Sequence, residues 1–323
     1  MPDDPEFIFP QVIDNTMRSD WKACPHRFFR RHIQGLASPG KSIHLHFGGC
    51  MARGLEIARR TFHSGKSPDA ALFAGIEAAI AMWGDFDIPP DASRTAKLKT
   101  LDACILALAE YFKKWPLDDD EFTIHHHNNE PCIEFSGAWP IPGSRHPETG
   151  EPILYAGRFD AILNARSSVW GLDDKTTSSD PSSKGFSDQW RLRGQFTGYC
   201  WLAQCFGVRL TDFLIRGTQI LTSEIRCGQI HVSRPDWMID QWLWQLQADV
   251  TEMCRQYLAA LIDPLHPYLG MGEAHPFPQA FDHACHDFAS PCSFADLCSS
   301  QHPERWTDEF TIARWNPLVR AED

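Results

Sequence analysis

Asp160, Asp173 and Lys175 could do chemistry together if the chain between them turns back on itself. Asp160 closes the run Tyr155-Ala-Gly-Arg-Phe-Asp160, and the other two lie in Val169-Trp-Gly-Leu-Asp-Asp-Lys175. Both runs carry the aliphatic and aromatic residues of strands, and Ala165-Arg-Ser-Ser168 between them is turn-like. A hairpin centred between Arg166 and Ser167 sets Asp160 opposite Asp173, and opposed residues have Cβ atoms roughly 4.5–5.5 Å apart. Two carboxylates that close repel unless a cation lies between them or one is protonated. Side chains alternate along a strand, so Asp173 and Lys175 share a face and Asp174 points away. Two carboxylates and an ammonium on one surface suit a divalent metal with a positioned amine, the chemistry of metal-assisted phosphodiester hydrolysis.

The surrounding elements must hold that hairpin. A helix is predicted from Trp190 to Cys205, placing Gln195 and Tyr199 four residues apart on one face. The polar run Thr176 to Gly185 between them reads as a loop at the mouth of the site. Upstream, Phe122–His127 and Cys132–Trp139 read as strands, with a Pro- and Gly-rich loop from Pro140 to Pro152. Residues 48–115 read as helices: one opening at Gly48, then Ala70–Trp83 and Thr95–Trp115. Residues 1–18 read as an irregular lead-in, and Ser19 as the cap of a helix that Pro25 interrupts. Phe213 to Val232 extends the sheet, and a long helix follows from Trp237 to about Leu261. Its Trp237, Trp242 and Trp244 are expected in the core rather than as a base-stacking platform.

Composition bounds the class. The chain of 323 residues is long enough for one large core or a core with a helical appendage, and 43% hydrophobic with 22% charged residues is ordinary for a globular protein. No apolar run approaches the roughly 18 residues of a membrane span, and a soluble, cytoplasmic protein is expected. A formal charge of −12 argues against a protein that coats nucleic acid. Three local basic clusters still permit a DNA groove: Lys22, Arg27, Arg30 and Arg31; Arg53, Arg59 and Arg60; Arg191 and Arg193. The eleven cysteines are an odd number without a secretion signal, so a disulfide framework is not expected. Cys104, Cys200 and Cys205 sit in apolar company as small hydrophobes. Cys285, Cys292 and Cys298 differ, being clustered with gaps wider than the pair that usually opens a zinc site. Three clustered thiols need a fourth to close a 4Fe–4S cluster, and Cys24 is the candidate.

Taken together, Gly157-Arg-Phe-Asp160, Asp173-Asp174-Lys175 and Gln195-Phe-Thr-Gly-Tyr199 resemble the signature of the RecB-type PD-(D/E)XK nucleases. The Cys24-Pro segment and Pro291-Cys-Ser-Phe-Ala-Asp-Leu-Cys298 are similar to those of iron–sulfur members, such as the CRISPR-adaptation exonuclease group and AddB nuclease domains. The resemblance implies an α/β fold: a mixed sheet flanked by helices, a helical insertion and an iron–sulfur-stapled C-terminal region. It divides the chain into an N-terminal segment (1–47), a helical subdomain (48–118), a nuclease core (119–235) and a C-terminal helix with the three-cysteine region (236–323). It assigns Mg²⁺ or Mn²⁺ to Asp160 and Asp173, with the Asp174 carbonyl as a further ligand, and water activation to Lys175. Gln195 and Tyr199 would contact DNA or the edge of the site, while Cys24, Cys285, Cys292 and Cys298 would hold a 4Fe–4S cluster. The implied substrate is DNA with free ends or single strands, met in recombination, repair, or phage or CRISPR DNA processing with protein partners.

One landmark departs from the pattern. Such enzymes carry a metal-binding histidine on the first helix, where this chain has Ala52. Glu56, or His44 and His46 as an i, i+2 pair on a strand, are the substitutes in reach. His125, His126 and His127 alternate along a strand, so at most two could converge. The alternatives are a non-catalytic DNA-binding or assembly protein on the same scaffold, and a zinc-stapled structural protein.

Overall fold

The computed structural model describes residues 7–40, 42–90, 92–166, 168–262, 275–281, 284–286, 291–300, 306 and 308–319. The chain opens with strand β1 (Val12–Ile13) and helix α1 (Asn15–Ala23), then α2 (Pro25–Phe28), a π-helical turn (Phe29–Ile33) and β2 (Leu36–Ala37). A helical block follows: α3 (Ile43–His63), α4 (Pro68–Trp83), α5 (Arg94–Lys97) and α6 (Leu101–Lys114). Three short strands, β3 (Thr123–Ile124), β4 (His126–His127) and β5 (Glu130–Pro131), precede β6 (Ile133–Pro140), β7 (Leu154–Ala165) and β8 (Ser168–Thr177). Helices α7 (Lys184–Trp190) and α8 (Gly194–Cys205) lead to β9 (Asp212–Ile220) and β10 (Ile225–Ser233). The long α9 (Asp236–Ile262), the short α10 (Ala295–Ser299) and β11 (Thr311–Ile312) complete the described elements.

The main sheet runs β1-β7-β8-β9-β10, with β3 and β6 on the other edge of β7. It is mixed: β1 is parallel to β7 and β8 to β9, and the remaining pairs are antiparallel. One face carries the main core, where Phe28, Phe159, Phe196, Phe213, Trp242 and Tyr257 pack between the sheet and α8 and α9. A second core, around Phe47, Leu55, Trp83 and Leu108, holds the helical block together. Within it α3 and α4 approach so closely that a Cβ at Gly75 would lie 2.5 Å from the Gly54 carbonyl. Among the described residues no helix is long and apolar enough to cross a membrane.

Several boundaries differ from the sequence expectation. Asp14, not Ser19, caps the first helix: its Oδ1 accepts the Met17 N–H at 2.8 Å. The lead-in is not irregular throughout, since β1 pairs with β7. Helix α3 begins at Ile43, because Ile43, Phe47, Cys50 and Met51 bury one helical face, so His44 and His46 are not a strand pair. The predicted Trp190–Cys205 helix is two helices with a break at 191–193. On α9 only Trp242 is core, whereas Trp237 and Trp244 are 62% and 67% exposed.

Two of the three basic clusters also turn inward. Arg27 and Arg31 pair with the buried Asp20, which His32 also contacts at 2.8 Å, and Lys22 joins Arg18 on Asp249. Burial alone would raise the Asp20 carboxyl, but the His32 hydrogen bond and the Arg31 and Arg27 charges outweigh it and hold it below the usual range. A carboxyl depressed on folding contributes stability above its unfolded value of about 3.9, and loses it as pH falls through the folded value. Acid titration monitored by circular dichroism is therefore expected to show less loss of stability below about pH 4 in Asp20→Asn than in the native chain. Parallel acid limbs would remove Asp20 from the account.

Candidate active site

Strands β7 and β8 form the hairpin that the motif requires. The turn passes through Arg166 at φ 53°, and Ser167 lies outside the described residues. The ladder runs from Ala165 opposite Ser168 to Ala161 opposite Leu172 and stops there. Asp160 and Asp173 come next, where the strands part because β8 stays parallel to β9 as far as Thr177. Beyond the split, β1 takes over the same edge of β7 at Leu154 and Tyr155. Among the described residues, no strand covers that edge from Ala156 to Asp160.

The gap gathers the five predicted side chains. Asp160 Oδ2 accepts the Asp174 N–H at 2.5 Å, fastening the two strands across the opening. Lys175 Nζ lies 2.7 Å from Asp173 Oδ2, and Gln195 donates to Asp173 at 3.4 Å and to the Tyr199 hydroxyl at 3.1 Å. The glycine of Gly-x-x-Asp has a packing reason: a Cβ on Gly157 would meet the Tyr199 ring at 2.8 Å. Burial, then the charges of Asp173 and Asp174, push the Asp160 carboxyl well above its usual range. Burial also raises Asp173, with Lys175 opposing it. For Lys175 burial acts downward, but Asp173 and Asp160 win and hold the ammonium charged. Two carboxyls raised by desolvation and by neighbouring carboxylates are the donor set a divalent cation would relieve.

The residues present therefore fit a hard cation. Asp160 and Asp173 would supply carboxylates, and Asp174 only its carbonyl, since its side chain points to the opposite face. Among the described residues no three His, Cys, Asp or Glu side chains already converge as a ligand shell. A cavity of about 500 Å³ opens beside Asp160, Asp174 and Lys175, faced by Gly48 and Ala52 of α3. Glu56 does not substitute for the missing histidine there, because Arg53 and Arg60 each hold its carboxylate at 2.8 Å. His46 is buried against Phe86, and His44 lines the cavity rim. His125 bonds Asn164, while His126 and His127 pack on His63 and Phe135, so the triplet does not join the site.

Two supports went unseen in the sequence. The first is a buried network behind β8: Asp174 meets Arg59 at 2.7 Å and the Tyr111 hydroxyl at 2.7 Å, and Arg216 links Tyr111 to Asp120. Arg59 had counted only as one of a basic cluster, and nothing local marks Tyr111. The second is Glu134, which sits across β6 from Asp160 at φ 50° and adds to the charge acting on Asp160. Here the alternation of β7 slips. Phe159 and Ile162 both join the main core, while Ala161 and Leu163 face the other side with Leu172 and Leu214. The β6–β7 pairing keeps the same offset on both sides of Asp160, so the slip inserts no extra residue.

The four cysteines predicted to hold a cluster come to the walls of one cavity, although among the described residues no three of them converge as a ligand shell. Cys24, Cys285, Cys292 and Cys298 all line a cavity of about 280 Å³, walled also by Phe281 and Phe294. The Ala280 N–H points at Cys24 Sγ at 3.4 Å. Burial pushes the Cys298 thiol up to about 11, with Cys292, Cys24 and Cys285 adding to the rise. The intervening 287–290 lie outside the described residues. Cys50, Cys104, Cys132 and Cys200 are buried elsewhere, and no disulfide forms among the described residues.

The Asp174 network yields a stability test. Removing one partner of a buried ion pair costs about 3–5 kcal/mol, and removing one hydrogen bond about 1–2 kcal/mol. Urea denaturation should show Arg59→Leu in the first range and Tyr111→Phe in the second. A loss below about 0.5 kcal/mol in both would mean that Asp174 is not anchored there.

The sequence profile of the PD-(D/E)XK nuclease superfamily matches residues 19–299. Among solved structures, a protein from Eubacterium rectale assigned as an exonuclease shares 14% identity over 90% of this chain and 94% of its own, with a TM-score of 0.46. The alkaline exonuclease of Laribacter hongkongensis shares 12% identity over 66% of this chain and 91% of its own, with a TM-score of 0.29. Curated proteins give no significant match. The profile spans both the split hairpin and the cysteine cavity, and on that match the chain belongs to the PD-(D/E)XK nuclease superfamily.

Proposed function

We propose that the protein is a Mg²⁺- or Mn²⁺-dependent deoxyribonuclease that hydrolyses phosphodiesters at DNA ends or in single strands. The observation that carries this reading is the parting of β7 and β8 at Asp160 and Asp173, with Lys175 2.7 Å from Asp173. A divalent cation bound by Asp160, Asp173 and the Asp174 carbonyl would polarise the phosphate and lower the pKa of a water at that place. Lys175, kept charged by its carboxylate neighbours, faces the phosphate, orients the attacking water and offsets the charge that builds on the phosphoryl oxygens. Gln195 holds Asp173 and Tyr199 in register. The backbone of the substrate approaches over the third basic cluster, where Lys184, Arg191 and Arg193 line an open groove at the α7–α8 break. Arg193 of this groove and Lys175 of the site both lie against the buried Trp190 ring, at 5.7 and 5.9 Å.

Cys24, Cys285, Cys292 and Cys298 hold a 4Fe–4S cluster in this reading, stapling the two ends of the chain beside the catalytic sheet. The chemistry it supplies is structural and needs no change of redox state. DNA processing in recombination, repair, or phage or CRISPR pathways is the setting the sequence resemblance favours. Ala52 on the cavity wall favours a second reading, a DNA-binding or assembly protein that kept the scaffold and weakened the chemistry.

Two measurements test these assignments. End-labelled single-stranded DNA should be degraded with Mn²⁺, and Lys175→Ala should slow this by about a hundred- to a thousandfold. Unchanged cleavage in Lys175→Ala would remove the lysine from the mechanism, and no cleavage by the native chain would select the second reading. Anaerobically purified protein should be brown and contain iron and sulfide, and Cys292→Ser should lose both colour and thermal stability. Zinc in place of iron, or iron unchanged in the variant, would overturn the cluster.

A further inference from the structure

A second cavity borders the split on the side of α8. It encloses about 330 Å³, and its walls include Gly157 and Arg158 of β7, Gln195, Asn15, Thr16 and Trp315. Sites for small ligands begin near 300 Å³, so this space suits one nucleoside and excludes a duplex.

On the β7 wall β6 pairs one edge of the strand, while the other edge from Ala156 to Asp160 has no neighbouring strand among the described residues, so that main-chain edge is open to a ligand. The opposite wall is a C-terminal arm that follows the β11–β2 pairing and is held along its length by further hydrogen bonds. Ala313 N–H donates to the Gly35 carbonyl at 2.8 Å, Arg314 to the Ile33 carbonyl at 2.9 Å, and the Trp315 indole N–H to Asp14 at 2.9 Å. The last bond fixes the ring while leaving it 38% exposed. The lining contains one cation, Arg158, and one carboxylate, Asp14, which the Trp315 and Met17 N–H groups already engage. Such a neutral, polar and aromatic pocket does not select phosphate. It suits a base and its sugar, with a π-face for stacking and amide and hydroxyl groups at the edge.

We infer that this cavity is a subsite for the terminal nucleoside of a DNA strand, with Trp315 as its stacking surface. The inference rests on the nuclease reading, and it makes the site end-directed. The pocket accepts one unpaired nucleoside and sets the neighbouring phosphate at Asp160, Asp173 and Lys175. The C-terminal arm thereby serves as a wall of the site.

Thymidine binding to the full-length protein, followed by saturation-transfer NMR and equilibrium dialysis without added metal, tests this apart from cleavage. Trp315→Ala should weaken binding on the order of tenfold or more. Trp315→Phe, which keeps a ring but cannot donate to Asp14, should retain binding within about threefold. Trp244→Ala, on the exposed face of α9, should bind as the native chain does. Three results would overturn the subsite: no thymidine binding by the native chain, equal binding by Trp315→Ala, or equal losses in the Ala and Phe variants. The last would mean that Trp315 only pins the arm. Thymidine binding lost in Trp315→Ala, in a protein that cuts no DNA, would sink the nuclease reading and leave the subsite standing.

Discussion

Asp173 is buried and Asp160 half-buried at the point where two paired strands separate, and both carboxyls are held above their usual range there. Like charges in a buried setting repel strongly, and each carboxylate also forfeits its hydration. The structure supplies partial compensation from every side: the Asp174 N–H to Asp160, and the Lys175 ammonium and Gln195 amide to Asp173. The compensation is incomplete, since both carboxyls stay raised. That residual cost is what a bound cation would remove, so the same crowding that burdens the fold prepares the site.

The architecture around the split follows from keeping it open and aimed. Pairing of β8 with β9 and of β7 with β6 holds the two strands on diverging courses. Behind β8, the Arg59–Asp174–Tyr111 contacts tie the catalytic strand to α3 and α6. Asp174 thus ties the helical block to β8, with its side chain engaged by Arg59 and Tyr111. On the other face, Tyr199 packs on Gly157 and orients Gln195, so α8 reads the same hairpin from the opposite side.

Much of this was legible in the sequence because strand alternation and turn chemistry are local rules. Those rules placed the hairpin centre and its register, whose ladder stops one pair short of Asp160 and Asp173, and the divergence of Asp174 from Lys175. The slip of alternation at Asp160 was not legible; it accompanies Glu134 at φ 50° in the neighbouring strand, which no local rule marks. Nor was the fate of the basic clusters. A run such as Arg27, Arg30 and Arg31 looks like a nucleic-acid face, but Arg27 and Arg31 pair with the buried Asp20 and the buried Arg30 bonds His26 and Gln34. Ion pairs across long sequence separations, such as Arg18 with Asp249, leave no local trace. The four cysteines singled out in the sequence line one cavity in the structure.

The central claim is that Asp160 and Asp173 are arranged to share a divalent cation. Electron paramagnetic resonance of Mn²⁺ titrated into the protein tests it directly, because uptake removes the signal of the free ion. The native chain should take up Mn²⁺, while Asp160→Asn should leave it free and, with one repelling charge gone, unfold at a higher temperature without metal. Uptake by Asp160→Asn equal to that of the native chain, or no uptake by the native chain, would contradict the account.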